Sequence, residues 1–199
     1  LNAAVFATIE FKSIKAGKKE GNTWSIDVIF TLRGVTREIS VDAEVRSFPA
    51  ETGKKLGFGD APVIKVKTSF KVKFEDYGMK LDDKQLATVQ PEITVGLDLW
   101  GTAIKPAGAP AVAQKPEEGL PVTVRPPKVG DEGIEGIKYR FGKKPQLATF
   151  TATSDAELEK ITASSNIVGG VLGLDKDTGK VRLALPVKSL KTGIDLRDQ

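Results

Sequence analysis

The chain has 199 residues, of which 40% are hydrophobic and 28% charged, which is enough for one domain with a full core. It contains no cysteine and no histidine, which excludes disulfides, thiol nucleophiles, histidine bases and the common transition-metal ligand sets. The net charge of +4 is too small to indicate nucleic-acid binding, and no apolar run is long enough for a transmembrane helix.

Alternating apolar and polar residues predict β-strands along most of the chain. In the clearest case Trp24, Ile26, Val28, Phe30 and Leu32 take every second position, which is typical of a half-buried strand. Glycine at position 34 then permits a hairpin turn, and Asp177-Thr178-Gly179 predicts another near the end of the chain. The eight predicted strands span 6–14, 22–33, 37–47, 62–76, 91–102, 146–153, 166–175 and 180–189.

One short helix is predicted after the strand at 146–153. Ser154-Asp155-Ala156-Glu157 matches a capping box, and Leu158 and Ile161 would give the helix an apolar face over two to three turns, ending near Ser164. A proline-rich stretch at 103–136 is predicted to be a partly extended linker.

Eight antiparallel strands predict a closed barrel, because closure leaves no exposed sheet edge. In an up-and-down barrel the first and last strands are neighbours. We therefore expect residues 6–11 to pair antiparallel with residues 181–187, and Leu1 to lie near Gln199.

Several segments, read in the order 137–199 and then 1–102, resemble the YceI-like family of polyisoprenoid-binding, lipocalin-like barrels. They are Asp155 to Ile161, Ser165-Asn166, Val187 to Asp198, Phe6 to Phe11, Leu32 to Arg37, and Phe70 to Met79. The chain departs from the family pattern in two places: a histidine-containing segment that usually follows the Arg-Asp pair is absent, and Ala7 replaces a usual proline.

The resemblance implies an all-β, eight-stranded antiparallel up-and-down barrel with one short helix. The order of the segments is interpreted as a circular permutation, and the alternatives are a nicked loop or a window across two tandem domains. Residues 1–102 would form the C-terminal part of the barrel in family order and residues 137–199 its N-terminal part. With the linker at 103–136 they would make one domain.

The resemblance also implies non-enzymatic binding or transport of an isoprenoid lipid or a quinone, no covalent cofactor, and a periplasmic or secreted location. Such a ligand would lie against the inward apolar residues of the barrel. The predicted ligand-binding residues are Trp24, Ile26, Val28, Phe30, Ile64, Val66, Phe70, Val72, Phe74, Leu183 and Leu185. The alternative is that these side chains fill the barrel, which would make the protein a structural or protein-interaction module. A homodimer is left open.

A lysine row, Lys65, Lys67, Lys71 and Lys73, alternates with the apolar face of the strand at 62–76. It is interpreted as a solvated outer face rather than a phosphate-binding surface. Nucleic-acid binding would need aromatic residues on the same face, and none is expected there.

Overall fold

The computed structural model describes residues 5–86, 89–104, 125–156 and 160–193. Their strands are β1 (Thr8–Glu20), β2 (Thr23–Leu32), β3 (Val35–Phe48), β4 (Val63–Lys73), β5 (Glu92–Ala103), β6 (Ile137–Phe141), β7 (Ala148–Asp155), β8 (Lys160–Ser165), β9 (Gly169–Asp175) and β10 (Thr178–Pro186). Two short α-helices, α1 (Ala50–Lys55) and α2 (Asp83–Leu86), and 3-10 turns at Glu75–Tyr77, Pro145–Leu147 and Val187–Ser189 complete the described elements.

Eight of these strands form a closed antiparallel ring, in the order β4-β3-β2-β1-β10-β9-β6-β5, and β5 pairs back to β4. The predicted eight-stranded antiparallel barrel is therefore confirmed. The expected pairing of the first and last strands is also present, with Ile9 opposite Leu185 and Phe11 opposite Leu183.

The pairing of β1 with β10 does not test the permuted order, because these strands are neighbours in every closed up-and-down barrel. The permuted order and the boundaries at 102 and 137 stay predictions. Leu1 and Gln199, whose proximity was expected, lie outside the described residues.

The helix predicted from Ser154 to near Ser164 is wrong. Ser154 and Asp155 end β7, and β8 begins at Lys160, with Ser154 opposite Ile161 and Asp155 opposite Lys160. A helix of ten residues is marginal, and the Ile-Thr-Ala-Ser-Ser run gives it little intrinsic support. The Ser154 hydroxyl accepts a hydrogen bond from the Gln90 backbone N–H, 2.8 Å away, instead of capping a helix. Residues 157–159 of the predicted helix lie outside the described part.

One edge of β5 is shared by two strands. Its last residues pair with β6, where Gly101 lies opposite Phe141, and its middle pairs with β7, where Leu97 lies opposite Phe150. β6 continues the ring through β9, whereas β7 pairs with β8. The barrel wall therefore consists of different strands at its two ends. Neither β6 nor β8 was predicted as a strand.

The hairpin between β2 and β3 turns through Arg33 and Gly34, whose φ angles are 54° and 72°. Positive φ at both central residues defines the tight turn that suits the twist of an antiparallel pair, and it confirms the turn predicted at Gly34. The β9–β10 turn consists of Lys176 and Asp177, so Thr178 and Gly179, which were predicted to be in the turn, already belong to β10.

Inward side chains fill one half of the barrel. Trp24, Ile26 and Val28 on β2 are all buried, as the alternation predicts. Ile134, in the described part of the predicted linker, is also buried. Two residues earlier, Glu132 Oε2 lies 3.5 Å from Arg182 Nη1 on β10, so this part of the predicted linker packs on the barrel.

Candidate functional site

A cavity of about 450 Å³ opens at the barrel end where β2, β4, β7 and β10 finish and β1, β5 and β8 begin. This volume lies within the range of small-molecule sites in proteins. Apolar side chains make up most of its described lining: Ile9, Phe30, Leu32, Phe74, Met79, Leu81, Val89, Ile93, Val95, Phe150, Ala152, Ile161, Ala163 and Leu190.

Aromatic rings form the floor of the cavity. The Phe30 ring packs on Phe70, Tyr77 and Phe11, with centroid distances of 5.5, 5.7 and 6.4 Å. Edge-to-face arrangements such as these are favourable for aromatic pairs. Below Phe30 lies a void of about 10 Å³, which is close to the smallest space that holds one water molecule. Phe30 borders both spaces and thus separates the cavity from the packed half of the barrel.

Polar side chains reach the cavity at its rim. The charged residues among its described lining are Arg33 and Lys80, both cationic, and Gln85 adds a neutral amide. Arg33 is held in place, because its Nη1 donates to Gly78 O at 3.0 Å and its guanidinium lies 5.6 Å from the Phe6 ring centroid.

The loop between β4 and β5 closes over part of this end. Arg37 Nε donates to Asp76 O at 2.8 Å, so Arg33 and Arg37 both hold the backbone around the Glu75–Tyr77 turn. Tyr77 points inward from that turn and is buried, and its burial, with a smaller contribution from the Asp76 charge, raises the pKa of the phenol. The loop is thus fixed to the β2–β3 hairpin on the outside and to Phe30 on the inside.

The predicted ligand-binding residues fall into three groups. Phe30 and Phe74 line the cavity, and Phe70, Leu183 and Leu185 border the small void below Phe30. The remaining six are absent from the described lining of both spaces and lie in the barrel wall or the packed core: Trp24, Ile26, Val28, Ile64, Val66 and Val72. Their contact with a ligand stays a prediction.

Sequence reasoning missed the lining residues that come from loops and from the β7–β8 hairpin. Met79, Leu81 and Val89 lie in the loop after β4, where no alternation marks them. Ala152 and Ala163 lie opposite each other on β7 and β8, and their small side chains leave room at this end of the barrel. Ala163 was missed because it was predicted to lie in a helix and not in a strand of the barrel.

Contrary to expectation, aromatic residues do lie beside the outer lysine row. Trp100 on β5 is opposite Lys65, whose Nζ is 5.4 Å from the indole centroid, and Phe48 stacks on Trp100 at 5.2 Å. These aromatics come from neighbouring strands, so the sequence of β4 alone gives no sign of them. Lys65 and Lys71 pair with Asp98 and Glu92 on β5, which neutralises part of the row.

The described residues contain no group of three or more potential metal ligands. Besides Tyr77, a pKa shift is resolved for two groups outside the cavity: the Glu92 hydrogen bond raises the pKa of Lys71, and the Lys138 hydrogen bond lowers that of Asp131. Within the described part of the chain, no helix is long and apolar enough to cross a membrane.

A closed antiparallel barrel with a filled half and an apolar cavity at one end defines a lipocalin-like protein, a class suited to enclosing an apolar molecule. The family model of the YceI-like domain matches residues 1–100, which comprise β1 to β4 and most of β5. The chain belongs to the YceI-like family. No curated protein and no solved structure gave a significant match.

Proposed function

We propose that this protein binds or transports an amphiphilic apolar ligand, an isoprenoid lipid or a quinone, without catalysing a reaction. The observation that carries the proposal is the 450 Å³ cavity, whose described lining is apolar apart from Arg33, Lys80, Gln85 and Ser154, and the buried Ser154 hydroxyl already accepts a hydrogen bond from the Gln90 N–H. An apolar chain leaves no polar group unpaired against such a wall, and its head group keeps contact with water at the rim.

The volume of the cavity limits how much of a chain it encloses. A methylene is similar in size to a water molecule, which takes about 30 Å³ in the liquid, so 450 Å³ hold about fifteen carbons. Each buried methylene contributes about 0.8 kcal/mol, or about 12 kcal/mol in all. After at least about 4 kcal/mol for lost translational and rotational freedom, micromolar binding is within reach.

The first test is extraction of the purified protein with organic solvent and mass spectrometry of the extract. Delipidated protein is then titrated with polyprenols of increasing length. We expect affinity to rise about fourfold per added methylene until about three isoprene units are enclosed, and then to level off. Absence of any extracted lipid together with absence of polyprenol or quinone binding would refute the proposal.

A cavity-filling variant, Ala152→Phe, checks that binding takes place at this site. Its matched control is Thr149→Phe, because Thr149 lies on the same strand but is exposed on the outer face. We expect Ala152→Phe to reduce affinity at least about tenfold while the control binds normally. Equal binding by the two folded variants would place the ligand elsewhere.

The location and the sequence order belong to the same proposal. By its resemblance to the family, we propose a periplasmic or secreted location, which cell fractionation of the native producer tests. We also propose that the barrel is circularly permuted. The alternative of a structural or interaction module is supported by the filled half of the barrel, and it would be preferred if no apolar ligand binds.

A further inference from the structure

Arg33 and Lys80 line the opening of the cavity, and no carboxylate is among its described lining. On the outer wall, Lys65 and Lys71 pair with carboxylates of β5, whereas Lys67 and Lys73 form no ion pair with a described residue. At the rim, neither Arg33 nor Lys80 forms an ion pair with any other described residue. Two cations without an acidic partner among the described residues therefore face the opening of an apolar cavity.

Arg33 is fixed in position yet keeps capacity to bind. A guanidinium has five N–H donors, and the hydrogen bond from Nη1 to Gly78 O uses one of them. This hydrogen bond and the Phe6 ring restrict the side chain, so less conformational entropy remains to be lost when a ligand binds. The planar fork of donors suits a carboxylate or a phosphate.

The backbone at Arg33 adopts a conformation that is unusual for a residue other than glycine. Its φ of 54° is unfavourable for most residues with a side chain, and asparagine or glycine is usual at this position of such a turn. Arginine at this position therefore carries a steric cost that a better turn residue would not. Lys176, in the β9–β10 turn at the opposite end of the barrel, has a similar φ of 48°, so this strain alone does not mark a functional site.

We propose that the ligand of this cavity carries an anionic head group, a carboxylate or a phosphate, which Arg33 and Lys80 bind while the chain occupies the interior. This inference rests on the proposed function and specifies the chemistry of its ligand. It favours a fatty acid or a prenyl phosphate over a neutral quinone or alcohol of the same length.

The test compares anionic ligands with neutral ligands of equal chain length. Delipidated protein is titrated by equilibrium dialysis with hexadecanoate and hexadecanol, and with farnesyl phosphate and farnesol, below their aggregation concentrations. We expect each anion to bind about tenfold to a hundredfold more tightly than its alcohol, the range of a hydrogen bond to a charged group. The preference should weaken at high salt. The tighter anion identifies the head group.

Arg33→Asn and Lys80→Gln then remove the charges separately. Asparagine tolerates positive φ, so Arg33→Asn should preserve the β2–β3 turn, while the hydrogen bond from Arg37 to Asp76 O continues to hold the β4–β5 loop. The matched control is Lys176→Asn, which removes one positive charge from a residue with a φ of 48° in the β9–β10 turn, at the opposite barrel end. We expect each rim variant to weaken the preference for the anion and the double variant to abolish it, while the control retains it.

The outcomes distinguish this inference from the proposed function. Equal affinity of the unmodified protein for anions and alcohols would overturn the head-group assignment and leave the proposed function standing. An anion preference that survives Arg33→Asn and Lys80→Gln together would also overturn it. Absence of binding by all four ligands, by longer polyprenols and by a quinone, with no lipid in the extract, would reject both.

Discussion

Phe30 lies between the cavity and the packed half of the barrel, and we predict that its replacement by alanine changes both stability and ligand capacity. The side chain is only 2% exposed. A buried phenylalanine removes about 150–250 Å² from water, worth about 4–6 kcal/mol at 25 cal/mol per Å² before the part that alanine retains is subtracted. Its packing on three rings adds to the loss.

We therefore expect Phe30→Ala to lower the free energy of unfolding by about 4 kcal/mol, within the usual range for Phe→Ala in a core. For a chain of this size, this corresponds to a fall of about 10 °C in Tm. The truncation also removes the floor between the cavity and the void bordered by Phe70 and Leu183. The enlarged space should hold a longer chain, so the length at which polyprenol affinity levels off should increase.

Chemical denaturation and the polyprenol series measure the two effects. Phe141→Ala is the matched control, because Phe141 is equally buried but is absent from the described lining of the cavity. It should lose similar stability without changing the preferred chain length. If Phe30→Ala lowers the free energy of unfolding by less than about 1 kcal/mol, Phe30 is not packed against the neighbouring rings as described. An unchanged length preference would refute the role of Phe30 as the floor.

Three further variants test the barrel itself. Ser13→Ala removes the hydroxyl that accepts a hydrogen bond from the Val181 N–H at 2.7 Å, next to a register shift between β1 and β10. We expect urea denaturation to show a loss of about 1–3 kcal/mol in the free energy of unfolding. An unchanged free energy of unfolding would contradict this hydrogen bond. Gly136→Ala would place a β-carbon against Leu174 O at a φ of 77°, and we expect it to lower the free energy of unfolding by about 3 kcal/mol. The loss should be clearly smaller for Gly133→Ala, where φ is 68° but no atom lies near the added carbon. Burial raises the pKa of Tyr77, so the unfolded state ionises first, and stability should fall as the pH rises above about 10. Tyr77→Phe should lessen this fall between pH 9 and 11, and an unchanged pH dependence would contradict the shift.

The barrel could be predicted because its longest strands are buried on one face only. Strict alternation in β2 fixes which side chains point inward, and the wrong register would expose all of them. The short strands β6 and β8 could not be predicted in this way. Lys160–Ser165 contains little beyond Ile161 and Ala163 to show a period, so the capping-box pattern at Ser154 dominated the interpretation. Pairing with β7 outweighs that local preference.

The apolar character of the cavity could be predicted from the sequence, but its position in the barrel could not. Alternation shows that Trp24 and Phe30 share one face of β2, yet Trp24 lies in the packed half and Phe30 borders the cavity. The difference depends on which side chains arrive from the other walls and from the β4–β5 loop. The pairing of distant strands determines which side chains meet Trp24 and Phe30, and the sequence of β2 alone does not show that pairing.

The change of wall strands along the barrel explains why it is filled at one end and open at the other. Where β6 joins β5 to β9, large side chains such as Phe141 and Leu172 point inward and the ring is packed. Where β7 and β8 replace them, alanines at 152 and 163 face the interior and leave space. Stability and binding are thus carried largely by different residues. Truncation of Leu172 should lower Tm without changing ligand affinity, whereas enlargement of Ala163 should weaken binding with little loss of stability, because the new side chain enters space that is already empty.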